Sequence, residues 1–172
     1  MRRPRRFLFD ECIGMPIMVT IHQLVYSELT FDHICEKHFS GVKDEDWIPK
    51  LPDDKYHYVV ISGDAGKNSI RGKKLPELCR EHGVTHVILS PTLSQKPSSH
   101  KQAAITEHWS SIETLHDATP GSRFQLQYIQ SKGKGGVVRV TVSLVPVDYA
   151  EIDRKTAERD ALKKKRKAER GR

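Results

Sequence analysis

The chain has 172 residues, which suits one domain with short extensions, since domains usually hold roughly 100 to 200 residues. Apolar residues make up 37% and charged residues 30%, and the mean hydropathy of −0.58 is typical of a protein with a heavily charged surface. These values exclude collagen-like and membrane-spanning proteins, because the apolar runs are far shorter than the ~20 residues of a bilayer helix. The sequence therefore predicts a cytoplasmic protein.

The net charge of +7 is concentrated at the two ends of the chain. Residues 1–6 contain four arginines, and residues 151–172 contain ten basic and five acidic residues. The body between them therefore carries a net charge of −2. We predict a basic arm over 1–6, a folded domain over 7–148 and a basic tail over 149–172 that is helical or disordered. The tail is either a solubilising extension or an arm that contacts phosphates or a partner.

Three cysteines are spread along the chain, at Cys12, Cys35 and Cys79. Their number is odd, and no pair has the C-x-x-C spacing of a metal or redox site. They are predicted to be reduced and mostly buried, where a thiol packs as a small hydrophobic group.

The first half of the chain predicts strands that alternate with helices. A short strand over 6–9 is followed by a helix from Pro16 to Ser27, whose apolar residues share one face. A second short strand is predicted over 31–35. Acidic residues open a brief helix at 44–48. The run YHYVVIS at 56–62 is the clearest strand.

The second half continues this pattern and then changes. A helix over 75–82 ends at Gly83, a residue type that favours helix termination, and a strand follows at 84–89. After a Ser- and Pro-rich loop, a longer helix is predicted over 99–116. Alternating apolar residues at 124–130 and 137–145 flank a Gly-rich turn and predict a β-hairpin. The whole pattern favours an α/β domain with a mainly parallel central sheet.

Carboxylates follow the strands of the predicted sheet. Asp10 and Glu11 come directly after the first strand, and Asp64 follows the third strand after one glycine. Ligands of open α/β sheets bind beyond the carboxyl ends of the strands, so these acids and those at 44–46 are expected to converge there. Clustered carboxylates repel one another unless a cation such as Mg²⁺ neutralises them, and such a site suits phosphodiester hydrolysis. Taken singly, each aspartate has an alternative role as a helix or turn cap.

Four basic residues follow Asp64 within ten positions: Lys67, Arg71, Lys73 and Lys74. Placed near the acidic crevice, they would pair with RNA phosphates, and binding would then weaken as salt increases. The alternative interpretation is an ordinary solvated loop.

Three of these segments together resemble a known family. The runs FLFD at 7–10, DEDWI at 44–48 and VVISGD at 59–64, followed by the strand at 84–89, are similar to those of the PIN-like ribonuclease domains. The resemblance covers roughly residues 6–140 and is closest to the compact branch of VapC-type toxins. It implies a PIN-like three-layer fold with a C-terminal hairpin.

The resemblance also implies roles for the acids. Asp10, Asp44 and Asp64 match the residues that bind Mg²⁺ or Mn²⁺ for endonucleolytic RNA cleavage. Glu11 would be a fourth ligand, and Glu45 and Asp46 would lie outside the first coordination sphere. A toxin ribonuclease of this kind acts on RNA, is held by a cognate antitoxin protein, and can form a homodimer.

Two other functions stay open from the sequence. A phosphoacceptor receiver domain would use Asp10, Glu11 and Asp64 with the hydroxyl of Ser90 and Lys96. It would need a helix and a fifth strand between the hydroxyl and the lysine, whereas five residues separate them here. A non-catalytic RNA-binding module would instead depend on the two basic ends and use the acids only as caps.

Overall fold

The computed structural model describes residues 5–25, 29–36, 41–51, 56–63, 75–132 and 138–170. Its strands are β1 (Arg5–Phe9), β2 (Thr30–His33), β3 (His57–Ser62), β4 (Thr85–Leu89), β5 (Arg123–Lys132) and β6 (Val138–Pro146). Its α-helices are α1 (Met15–Val25), α2 (Asp44–Trp47), α3 (Leu75–Glu81), α4 (Pro91–Ser94), α5 (Ser98–Glu107), α6 (Trp109–Glu113) and α7 (Tyr149–Arg170). Two 3₁₀ turns lie at Ile48–Lys50 and Thr114–Asp117.

The described strands form one sheet in the order β2-β1-β3-β4-β5-β6. Strands β1 to β5 are parallel to one another, and β6 is antiparallel to β5. The predicted mainly parallel α/β fold with a C-terminal hairpin is therefore confirmed. In the sheet, β2 lies on one side of β1, whereas β3 and the later strands follow on the other side of β1. The strand order therefore reverses between β1 and β3.

One face of the sheet, which we call the front face, packs against α1, α5 and α6. Phe7 and Phe9 point to this side of β1, because successive side chains of a strand point to opposite faces. The rings of Phe7 and Phe31 contact Trp109, with centroid distances of 4.7 and 5.0 Å. Large buried aromatic rings of this kind contribute strongly to the hydrophobic stabilisation of a fold.

The opposite face, the back face, packs against α2, the first 3₁₀ turn and α3. Leu8 and Val60 point to this side and are buried with Trp47. Polar groups are buried here as well, since the hydroxyl of Ser62 lies 2.9 Å from Nε2 of His86. Burial lowers the pKa of His86 to about 3, and the positive charge of Arg123 lowers it in the same direction. His86 is therefore neutral, as a structural residue of β4.

The region after β4 differs from its sequence-based prediction. The expected Ser- and Pro-rich loop contains α4, because the hydroxyl of Ser90 accepts the backbone N–H of Leu93 and caps the helix. The single helix expected over 99–116 is divided into α5, α6 and a 3₁₀ turn. The division falls at His108, whose φ of −101° and ψ of 11° are not helical.

The C-terminal tail forms α7, which begins against the last turn of α3. The hydroxyl of Tyr149 donates to the carbonyl oxygen of Gly121 over 3.2 Å, and Arg80 pairs with Asp153 at 3.1 Å. Gly121 has a φ of +79°, and a Cβ there would lie 2.8 Å from the carbonyl oxygen of Arg80. Glycine is thus required at this contact. Within the described ranges, no helix combines the length and the apolar character needed to cross a membrane.

Candidate functional site

The carboxyl ends of β1 and β3 lie side by side. Phe9 is paired with Ile61, and the backbone N–H of Asp10 donates to the carbonyl oxygen of Ile61 over 3.0 Å. Asp10 therefore leaves β1 at the position where the strand order reverses. In doubly wound sheets this position opens the crevice in which ligands bind.

A thiol links the carboxylate of Asp10 to the end of β3. The Oδ1 atom of Asp10 accepts the backbone N–H of Glu11 over 2.9 Å, and Oδ2 accepts the thiol of Cys12 over 2.9 Å. The sulfur of Cys12 in turn accepts the backbone N–H of Gly63 over 2.8 Å. The prediction that the cysteines are mostly buried is wrong: Cys79 is buried and Cys35 is half-buried, whereas Cys12 is exposed and uses its thiol in this polar network.

Gly63 is the last described residue after β3, and it packs closely against the Asp10 network. A Cβ at this position would lie 3.4 Å from the sulfur of Cys12 and 3.5 Å from Cβ of Ser94. The next residue in the chain is the predicted ligand Asp64. Asp64 lies outside the described residues, together with the predicted RNA-binding residues Lys67, Arg71, Lys73 and Lys74.

Asp44 is held by a buried tryptophan. It is the first residue of α2, and Lys43 occupies the N-cap position, so Asp44 does not cap its own helix. Its Oδ1 atom accepts the indole Nε1–H of Trp47 over 3.1 Å. The ring of Trp47 is fully buried in the back-face core. This packing fixes the donor, and the donor orients the carboxylate.

Glu11 connects the start of the α2 segment to the end of β1. Its Oε1 atom accepts the backbone N–H of Gly41 over 2.9 Å. Gly41 lies three residues before Asp44 and has a φ of +70°. Glu11 is thus engaged in positioning this segment, whereas the side chains of Glu45 and Asp46 are exposed on the outer side of α2.

Asp10 and Asp44 both act electrostatically on one buried thiol. Burial raises the pKa of Cys79 in α3, and the negative charges of Asp44 and Asp10 raise it further, whereas Arg123 acts in the opposite direction. Burial is therefore the largest cause of the raised pKa of Cys79, and the two carboxylates add to it.

His33 lies at the end of β2 beside the same crevice, and sequence reasoning missed it. Burial lowers its pKa, while the negative charges of Glu36, Asp10 and Glu11 act in the opposite direction. Its Nδ1 atom accepts the backbone N–H of Cys35 over 3.2 Å, which places the proton of the neutral ring on Nε2. His33 is paired with Phe9, the residue before Asp10, and the sequence does not show this because it depends on the register of β1 with β2.

The described carboxylates supply the kind of donor that a hard divalent cation prefers. Oxygen ligands from one or two carboxylates are typical of Mg²⁺ sites, and Asp10 and Asp44 match this chemistry. Within the described part of the chain, no three His, Cys, Asp or Glu side chains form a metal-binding group. The third predicted ligand, Asp64, lies outside that part.

Ser90 and Lys96, which supply the hydroxyl and the lysine of the receiver alternative, both make structural contacts. The hydroxyl of Ser90 accepts backbone N–H groups of Leu93 and Tyr128, both over 3.3 Å. Lys96 lies before α5 and contacts the ring of Tyr128, with its Nζ 5.2 Å from the ring centroid. Both residues are therefore used in holding α4 against β5.

The first half of the chain matches a known family. A family model described as a PIN-like domain matches residues 5–91, which is half of the chain. No curated protein and no solved structure matches. The matched range extends from β1 to the start of α4, and it includes Asp10, Asp44 and Asp64.

Proposed function

The chain belongs to the PIN-like domain family, and on this premise we propose that it is a metal-dependent endoribonuclease that hydrolyses RNA phosphodiesters. PIN-like domains are generally nucleases, and they usually use divalent metals. The observation that carries the proposal is the hydrogen-bond chain from Asp10 through Cys12 to Gly63. These hydrogen bonds support a site in which the Asp10 carboxylate is held at the β1–β3 crevice, with Gly63, the residue before Asp64, directly beside it.

The proposed metal ligands are Asp10, Asp44 and Asp64, with Glu11 as a further candidate. A bound Mg²⁺ or Mn²⁺ would polarise the phosphodiester and lower the pKa of water, which is the nucleophile in hydrolysis. The chain itself supplies the orientation. Cys12 and the N–H of Glu11 hold the Asp10 carboxylate, and Trp47 holds that of Asp44. Preorganised groups of this kind need no rearrangement during the reaction.

The proposed RNA contacts are the basic residues between Asp64 and α3. Lys67, Arg71, Lys73 and Lys74 follow Asp64 in the sequence, and α3 begins at Leu75. Positive charge near an acidic metal site offsets the repulsion between its carboxylates and the RNA backbone. Contacts to phosphates are independent of base sequence, so these residues would set affinity rather than sequence specificity.

The proposal is tested by an RNA cleavage assay with the purified full chain. Cleavage is expected with Mg²⁺ or Mn²⁺ and is expected to stop when EDTA is added. Asp10→Asn, Asp44→Asn and Asp64→Asn each remove one charged oxygen ligand without changing side-chain size. We expect each variant to lose at least about 100-fold in cleavage rate while circular dichroism shows an unchanged fold.

Glu107→Gln provides the matched control, because it removes one exposed carboxylate from α5 on the front side. Its cleavage rate should equal that of the wild type. Cleavage that continues in EDTA and in all three aspartate variants would contradict the proposal. RNA binding without any cleavage would instead support the non-catalytic RNA-binding module.

We also propose the finer assignment to a toxin with a cognate antitoxin, which rests on the resemblance to VapC-type toxins. Expression of the wild-type chain alone should then arrest bacterial growth, and expression of Asp10→Asn should not. Equal growth in both cultures would contradict a toxin role and leave the ribonuclease proposal intact. A homodimer is proposed on the same basis, and a molar mass measured by light scattering would test it.

A further inference from the structure

The two halves of α7 differ sharply in charge. The proximal half, residues 149–160, contains three basic and four acidic residues. The distal half, residues 161–170, contains six basic residues and one acidic residue, giving a net charge of +5. The positive charge of the tail is therefore confined to the part of the helix that lies farther from the domain.

The proximal charges are paired within the helix. Lys155 pairs with Glu151, and Arg154 lies 3.6 Å from Glu158, both with i,i+4 spacing. Lys163, Lys164 and Arg166 are exposed and form no ion pair with other described residues. The helix macrodipole favours cations only within the last turn, so it does not account for Lys163 and Lys164.

The direction of α7 brings the distal half towards the acidic crevice. Helix α3 follows β3 and precedes β4, so it begins at the carboxyl edge of the sheet and ends at the amino edge. Its last turn holds the beginning of α7 through the Arg80–Asp153 pair. Its first turn, at Pro76 and Glu77, lines a cavity of about 270 Å³ together with Thr156 and Arg159.

Helix α7 therefore runs antiparallel to α3, from the amino edge to the carboxyl edge. Eleven residues follow Arg159, up to and including Arg170 at the end of α7. At a rise of 1.5 Å per residue they extend about 16 Å past the first turn of α3. This is the edge of the sheet at which Asp10 leaves β1.

We propose that the distal half of α7 is an RNA-binding arm that binds the phosphate backbone of a substrate lying across the acidic crevice. The assignment rests on the proposed ribonuclease function, since it places RNA at the same edge. Charge complementarity identifies the occupant, because RNA carries one negative charge per nucleotide and releases counterions when lysine or arginine binds it. The like charges of Lys163 and Arg166, three residues apart, repel one another in the free helix, and bound phosphates would relieve this repulsion.

The apolar surface of the arm is too sparse for docking into a protein groove. Helices that dock in this way present apolar anchors with i, i+3, i+4 and i+7 spacing. Among the described side chains of α7, the exposed large apolar groups are Ile152 and Leu162, ten residues apart, and Leu162 alone lies in the arm. An extended polyanion matches this surface better than an amphipathic partner does.

The test is RNA binding by the full chain in EDTA, measured by fluorescence anisotropy of a labelled single-stranded RNA over a range of salt concentrations. The arm variant is Lys163→Gln/Lys164→Gln, and the matched control is Arg154→Gln/Lys155→Gln. Both remove two positive charges from α7, and glutamine keeps its helical propensity. Circular dichroism verifies that the helix is retained.

The arm variant should bind RNA about 10-fold more weakly than the wild type at physiological salt. The slope of log K against log salt should become shallower by about 1.4, which is about 0.7 for each lost phosphate contact with a single strand. The control should retain an affinity within twofold of the wild type, because its charges are already neutralised within the helix.

The result for binding is separable from the result for cleavage. If the arm variant binds RNA more weakly and the control does not, the RNA-binding arm is supported, whether or not the wild type cleaves RNA with Mg²⁺. A wild type that binds RNA but does not cleave it would contradict the ribonuclease proposal only. If cleavage is observed, the arm variant should raise KM with kcat nearly unchanged. Equal RNA affinity and equal salt slope in the arm variant and the wild type would contradict RNA binding by the distal half of α7. An acidic protein would then be the partner that fits this basic surface.

Discussion

The two faces of the central sheet are built from different kinds of residue. The front face buries the rings of Phe7, Phe31 and Trp109 against one another. The back face combines apolar packing with a buried polar pair, Ser62 and His86. Both faces bury polar residues, and those of the front face include His33 and Thr85. The faces differ instead in that the front face packs aromatic rings together, whereas the back face holds the indole that donates to Asp44.

Trp47 and Trp109 show this difference most directly. Both are buried, yet the indole nitrogen of Trp109 has no hydrogen-bond partner among the described residues, whereas that of Trp47 donates to Asp44. Trp109 thus contributes through packing alone, and Trp47 joins packing to the orientation of a proposed metal ligand. This contrast shows how a hydrophobic core can position a charged group at a sheet edge.

The largest effect is expected from acidification of the back face. The pKa of His86 is about 3 in the folded chain and 6.5 in the unfolded reference. Between these pH values the unfolded chain binds a proton that the folded chain does not, so the free energy of unfolding decreases as the pH falls. The slope approaches 1.4 kcal/mol per pH unit, and we expect a loss of about 2 to 3 kcal/mol between pH 6 and pH 4.

Chemical denaturation across this pH range measures the effect. His86→Gln should show a smaller loss, since it removes this titration while the other groups, including His33 with its lowered pKa, still contribute. His100→Gln is the control, because His100 is exposed on α5. Identical pH profiles for His86→Gln and the wild type would show that His86 is not held neutral by the back face.

A smaller effect is expected from paired substitutions of the two tryptophans. Trp47→Phe removes the indole donor to Asp44 and keeps most of the buried ring, so the free energy of unfolding should fall by about 1 kcal/mol. We expect RNA cleavage by the folded protein to fall about 10-fold, corresponding to about 1.4 kcal/mol of lost transition-state stabilisation.

Trp109→Phe makes the same change of side chain on the front face. It should also lower stability, but its cleavage rate for each folded molecule should match that of the wild type. If both variants lose the same fraction of cleavage activity, the separation of support and site between the two faces would be wrong.

The fold could be predicted from the sequence where local patterns decide it. The apolar runs that form β3 and β4, and the period-two alternation of β5 and β6, identify these strands without tertiary information. Gly83, with a φ of +67°, ends the helical region as predicted. The capping of α4 by Ser90 and the break at His108 were missed, because apolar periodicity does not report a side-chain cap or a single non-helical residue.

The site could be predicted only in part for a related reason. The places of Asp10 after a strand and Asp44 at the start of a helix follow from local sequence. The link through Cys12 to Gly63 joins residues 51 positions apart, and the approach of His33 depends on the register of β1 with β2. Such contacts arise from strand pairing, which a single sequence does not specify. The convergence of Asp64 with Asp10 and Asp44 stays a prediction, as Asp64 lies outside the described residues.

The most direct test of the account is a calorimetric titration of the full chain with Mn²⁺ in the absence of RNA. The central claim is that the carboxylates at the β1–β3 crevice bind a divalent cation. Mn²⁺ should bind the wild type and Glu107→Gln with equal affinity, and Asp10→Asn should weaken binding at least about 10-fold. Equal Mn²⁺ affinity in Asp10→Asn and the wild type would contradict the claim.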